Sequence, residues 1–376
     1  MKTTCKRWIT PSNLAQAMSV ALGCFALAPA QAALVTTKST AFSNAAVSAT
    51  AQSGGAASTK TISATTALDK FDPTTGVLTG AAVSLNSAYQ QSISVAGTNT
   101  SNSNNPKTIT GTGNSTGLTL SALGQTQTAA NPASVTATCN AAKHSNCSSS
   151  TTAPNATVNL GFNVSSANLN SYVGAGSVSV SNQAQLSASA SGNVNSGSTT
   201  YTADWDGTLS VDYSYLLHAN ASFNGVSDQD TLVLDFGQVF QNSSPATLGF
   251  SLSNIATNIA QTVGLDFDGF SATGSSAFSN DLASWSALAA GALGNAFNLA
   301  FDTSNVGTFL TTYVLNFSDA DIGASDSRFN SQLTLVAQGS VVQAPLPPQA
   351  VPEPGSLLLV ASGLGCLGWT ARRRKA

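Results

Sequence analysis

Glutamate is missing from residues 33 to 350 of this 376-residue chain, whose one Glu stands at position 353. Glu-type acid/base pairs are thereby excluded from the body of the protein. Histidine is nearly absent too, with only His144 and His218 in the whole chain. His144 sits in a polar stretch, and His218 closes the aromatic run Tyr213, Tyr215, Leu217, where a strand-edge histidine is the ordinary reading. No GxSxG, HExxH or phosphate-binding GxxxxGK[ST] sequence occurs. Gly363, Gly365 and Gly368 satisfy GxGxxG, but no strand pattern precedes them and no acidic residue follows, so a dinucleotide site is excluded. With no catalytic constellation to build from, the expectation is a protein that is not an enzyme.

Charge is equally sparse. Between residues 33 and 350, fifteen Asp face Lys38, Lys60, Lys70, Lys107, Lys143 and Arg328, a net −9 that basic residues at the two ends mask in the whole-chain value of −3. An acidic body argues against nucleic acid or an anionic membrane surface as partner. Cysteines number five, of which Cys5 and Cys24 lie in the N-terminal segment and Cys366 in the C-terminal apolar run, leaving Cys139 and Cys147 in the body. These two are expected to form a disulfide in an oxidising compartment, since no CxxC spacing supports a metal site.

What the chain does have is concentrated at its ends. Lys2, Lys6 and Arg7 precede an apolar stretch from Ala17 to Ala28, and Ala30-Gln31-Ala32 supplies small residues for cleavage, so residues 1–32 read as a secretory signal peptide. At the other end Pro352, Glu353 and Pro354 precede an apolar run, and Arg372, Arg373, Arg374 and Lys375 close the chain. The run with its flanks, Ser356 to Thr370, is 15 residues long. As a helix it would reach about 22 Å, against about 20 residues for a comfortable bilayer span, so it predicts a short and transient anchor. The basic cluster should remain cytoplasmic, which leaves everything before Pro352 outside.

Between the ends, short runs alternate at period two and are broken by Gly, Asn and Ser, among them GVLTGAAVSL (76–85), TVNLGFNV (157–164) and GTLSVDYSY (207–215). From Asp228 the runs are richer in Phe and Leu, as in TLVLDFG (231–237), VGLDFDGF (263–270) and GTFLTTYVLNF (307–317). This patterning predicts an all-β protein with two β-sandwich-like domains, 33–225 and 226–343, then a Pro-rich stalk at 344–350 and the terminal signal at 351–376. Residues 97–116 and 121–153 read as long loops, and DLASWSALAAGAL (281–293) is the one stretch with a helical look.

Aspartate forms the remaining pattern: Asp204/Asp206, Asp228/Asp230, Asp266/Asp268 and Asp319/Asp321 are DxD pairs. On a strand, carboxylates two apart share a face and can converge on a hard cation such as calcium, best at Asp266, Asp268, Asp319 and Asp321. Solvated turn residues that keep strand edges apart are the competing reading. No other cofactor is expected. A carbohydrate site would need exposed aromatics, for which Trp205, Tyr213 and Tyr215 are the candidates, although aromatics at period two are ordinarily core.

The order Pro-Glu-Pro, apolar run, basic cluster resembles the PEP-CTERM sorting signal of exopolysaccharide-producing Gram-negative bacteria. The resemblance covers the tail and implies recognition and processing by an exosortase. It also implies export to the cell surface or extracellular matrix, with exopolysaccharide or biofilm as partner. KFDPTTGVL (70–78), SYVGAGSVSV (171–180) and DGTLSVDYSY (206–215) are similar to motifs of choice-of-anchor proteins. LDFGQVF (234–240), GLDFDGF (264–270) and LTLVAQGSV (333–341) are similar to an immunoglobulin-like module of PEP-CTERM proteins. Together these imply an exported structural protein, with a carbohydrate-binding or adhesive module as the alternative.

Overall fold

The computed structural model describes residues 31–345, 355 and 359–364. It is all-β, with nineteen strands and four short 3-10 turns among the described residues. The first ten strands are β1 (Leu34–Gln52), β2 (Ser58–Asp69), β3 (Val77–Asn99), β4 (Lys107–Ala122), β5 (Gln125–Thr128), β6 (Val135–Ala141), β7 (Ser145–Thr152), β8 (Ala156–Asn163), β9 (Ser177–Gly192) and β10 (Ser196–Leu216). One sheet runs β1-β10-β3-β7 with β8 also on β3, and the other runs β2-β9-β4-β5 with β6 also on β4. Alternation places the residues: in β9, Val178, Val180, Ala184, Leu186 and Ala188 are buried while Ser179, Gln183, Gln185 and Ser189 face out.

The two sheets enclose a core that includes Phe71, Tyr89, Tyr172, Tyr201, Trp205 and Tyr213. Trp205 meets Tyr89 and Phe42 edge-on, with centroids 5.6 and 6.3 Å apart. Four of the polar tips inside are paired with neighbours, whereas Tyr172 Oη has no partner. Ser115 Oγ lies 2.7 Å from Tyr89 Oη and 2.6 Å from Tyr201 Oη, Tyr201 donates to Gln91 at 2.6 Å, and Trp205 Nε1 donates to Ser87 at 2.9 Å. Trp205 and Tyr213 therefore belong to the core, and Tyr215 packs against it. None of the three forms an exposed platform.

The expected long loops are corrected. Residues 107–122 form β4 and most of 125–152 forms β5, β6 and β7. Glycine had suggested turns there, yet Gly111 and Gly113 are buried strand positions on which the facing sheet lies. A Cβ on Gly113 would stand 2.1 Å from Tyr201 Cδ2, so the ring needs a glycine beneath it.

The second set of strands is β11 (Ala221–Ser222), β12 (Thr231–Phe240), β13 (Ala246–Asn254), β14 (Leu265–Gly274), β15 (Phe278–Asn280), β16 (Trp285–Leu288), β17 (Leu293–Phe301), β18 (Gly307–Asp319) and β19 (Asn330–Val342). They make sheets ordered β12-β19-β18-β14-β16 and β11-β13-β17-β15. A separate core rich in phenylalanine lies between them, with Phe278 stacked on Phe301 at 4.8 Å and Phe267 against Phe317 at 5.2 Å. The expected helix at 281–293 is also corrected: its middle is the edge strand β16, which pairs Leu288 with Leu265 and Trp285 with Phe267. Tertiary contacts override the helical propensity of the alanines, since Trp285 packs on Phe267 at 5.9 Å and the Ala287 N–H is taken by Asp266 Oδ1 at 2.6 Å.

Where the two cores approach, Val77, Leu216, Val263 and Ala320 form a small cluster of their own. Ala324 N–H donates to the Leu78 carbonyl and Leu78 N–H donates to Ser327 Oγ, at 2.8 and 2.9 Å. Gly323 makes the approach possible. At φ +59° it is left-handed, and a Cβ there would stand 2.2 Å from the Leu78 oxygen.

Candidate functional site

Pro352, Glu353, Pro354 and the basic tail Arg372 to Lys375 lie outside the described residues, as do residues 1–30 of the expected signal peptide and most of the expected stalk. Within the apolar run, residues 359–364 are helical. Among the described residues no helix is long and apolar enough to cross a membrane.

Cys139 and Cys147 are bridged, with Cα atoms 5.7 Å apart. Cys139 stands on β6 and Cys147 on β7, which belong to opposite sheets of the first sandwich. The bond thus staples the sandwich at the corner where the chain passes from one sheet to the other.

The four aspartates favoured for calcium have protein partners. Asp266 accepts the Ala287 N–H, Asp268 accepts the Ser318 hydroxyl at 3.0 Å, and Asp321 pairs with Arg328. Asp319 is buried and fully engaged: Oδ1 accepts Ala219 N–H at 2.8 Å, while Oδ2 accepts Phe329 N–H and faces His218 Nδ1, both at 2.7 Å. Calcium at Asp266 or Asp319 would have to displace these hydrogen bonds. Among the described residues no three His, Cys, Asp or Glu side chains come together as a metal centre.

Asp228, Asp230 and Asp268 instead share the rim of an open groove of about 620 Å³ with Asn220, Asn316 and Gln332. Phe317 forms part of its floor, and Phe329, 57% exposed, stands at its edge. Gln332 donates to Asn316 at 2.9 Å, which fixes both amides. The groove presents carboxylates, amides and one aromatic face, and no Lys or Arg lines it. Such a set suits an uncharged polyol and repels anions. The amides and Phe329 escaped the sequence reading. Asn316 and Gln332 are opposed in the register of β18 and β19, a relation invisible until the strands are paired.

Residues 350–375 match the family model for the PEP-CTERM protein-sorting motif. The tail carries that motif. It covers only the end of the chain, and it marks the protein as exported, sorted at its C-terminus and, as such motifs are in general, a substrate for an exosortase. No curated protein matches the chain. Among solved structures, the ASH/PapD-like domain of human CEP192 (PapD-like domain 7) aligns at 8% identity and TM-score 0.25, covering 34% of this chain and 87% of that one. The Vibrio cholerae VesB protease aligns at 15% identity and TM-score 0.22, covering 36% of this chain and 37% of that one. At these scores neither likeness speaks to fold or activity.

Proposed function

We propose that the protein is a non-enzymatic component of the bacterial surface or extracellular matrix, trimmed at its tail by an exosortase-type enzyme and held in exopolysaccharide or biofilm. The observation that carries this reading is the sorting motif at 350–375. The resemblance of its first half to choice-of-anchor domains agrees with a structural body joined to an exchangeable anchor. Intact mass of surface-recovered protein tests the processing: the mature chain should lack Arg372 to Lys375 in normal cells and keep them in cells without the processing enzyme. Tail retention in both strains would overturn it. Co-fractionation with isolated matrix tests the destination.

A second reading, a carbohydrate-binding module, is favoured by the groove. Asp and amide side chains would take hydrogen bonds from sugar hydroxyls while Phe329 covers a C–H face. On a glycan array, binding should fall about tenfold, or ~1.4 kcal/mol, in Phe329→Ala and in Asp228→Asn. Binding to uronic acid polymers in preference to neutral glycans would count against it, because the groove has no cation to meet them.

A further inference from the structure

His218 is one of the groups through which the two sandwiches meet by hydrogen bonds, and among them the one that titrates. It follows β10 of the first sandwich. Its Nδ1 lies 2.7 Å from Asp319 Oδ2 at the end of β18, and its Nε2 lies 2.8 Å from the Pro73 carbonyl oxygen in the turn between β2 and β3. A carboxylate and a carbonyl are acceptors only. Both ring nitrogens must therefore carry hydrogen, and only the imidazolium has two N–H groups.

The surroundings are arranged for that cation. The Asp319 carboxylate is 1% exposed and the imidazole side chain 18% exposed. The Phe329 ring lies 5.5 Å from the imidazole, which adds cation–π attraction. Other charged groups nearby are occupied: Asp72, beside Pro73, turns its carboxylate to the N–H and hydroxyl of Thr74, and Arg328, beside Phe329, pairs with Asp321. Burial alone pushes the imidazole down, but the Asp319 hydrogen bond and charge, with the Pro73 carbonyl, outweigh it and hold the group above its ordinary value. A second cavity of about 450 Å³, lined by His218, Leu217, Ile255 and Thr262, borders the ring.

We infer that His218 is a protonation latch between the two sandwiches, which as an imidazolium ties the Pro73 turn to the Asp319 corner and on losing its proton lets one of the two go. The retained N–H stays with the carboxylate, so the Pro73 bond is the one lost. Because the folded value is raised, the latch is complete below the ordinary histidine value of about 6.5 and is lost as pH rises through the folded value. Asp319 also accepts the N–H groups of Ala219 and Phe329, so an opening that exposes those amides also frees His218, and the proton's contribution to the latch is read in their exchange.

Only two histidines exist, so a His144→Gln chain leaves a single imidazole to follow by NMR. The midpoint of His218 should lie above about 6.5, with both ring N–H signals visible on its acid side. Amide protection factors at Ala219 and Phe329 should fall about tenfold for each unit by which the midpoint exceeds 6.5. His218→Gln should show the lower protection at every pH between 5 and 9. A midpoint below 6.5, or a titrating His218 with protection unchanged, would overturn the latch. The first readout needs no change at position 218, so a folding failure of His218→Gln leaves the test intact.

Discussion

Gly113 shows how much one side chain decides in this protein. Its Cβ would meet Tyr201 Cδ2 at 2.1 Å, and Tyr201 cannot retreat because its hydroxyl joins Ser115 and Gln91. Gly113→Ala should cost about 1–3 kcal/mol through overpacking, whereas Thr112→Ala on the outer face should stay within about 0.5 kcal/mol. Urea denaturation of the two variants checks the contrast, and equal midpoints would refute it. The same pair marks the limit of the sequence. Alternation exposes which positions point inward, but a glycine on the inner face reads as a turn until the ring that covers it is known. Trp205 and Tyr213 were legible as core from period two alone.

At the scale of elements, strands rich in Val, Leu and Phe were readable, and the uncharged Ser/Thr/Asn stretches were not. Strand β7 (SNCSSSTT) has no fully buried residue and holds its place by pairing with β3 and by the bond to Cys139. That makes the disulfide a constraint on sheet assembly. By loop entropy a closed loop of about nine residues contributes about 2.6 kcal/mol. Cys139→Ser with Cys147→Ser should therefore lower stability by about that amount, read as a shift in the urea midpoint, and should raise amide exchange first in β6 and β7. Full alkylation of both thiols in the untreated mature protein would show that the bridge is absent. The edge strand at 285–288 was hidden for a different reason: the alanines of 281–293 favour helix locally, and the Phe267–Trp285 contact with the Asp266–Ala287 hydrogen bond selects the strand.

At the scale of the molecule, the nineteen strands of the described residues end at Val342, and the sorting motif begins at residue 350. Both phenylalanine- and tyrosine-based cores are complete before the stalk, so the address and the fold are carried by different parts of the sequence. A chain ending at Gln343 keeps every described strand and the disulfide. It should fold with an unchanged β-rich circular dichroism spectrum and an unchanged melting temperature, because no core residue is removed. Led out by the same N-terminus, it should appear free in the periplasm or medium, and the cells should lose any matrix phenotype the full protein confers. Aggregation or degradation of this chain would show that the tail belongs to the fold. Retention at the surface or in matrix would show that the body binds there by itself, and in that case the same truncation carrying Phe329→Ala should be released, which makes the groove the site responsible.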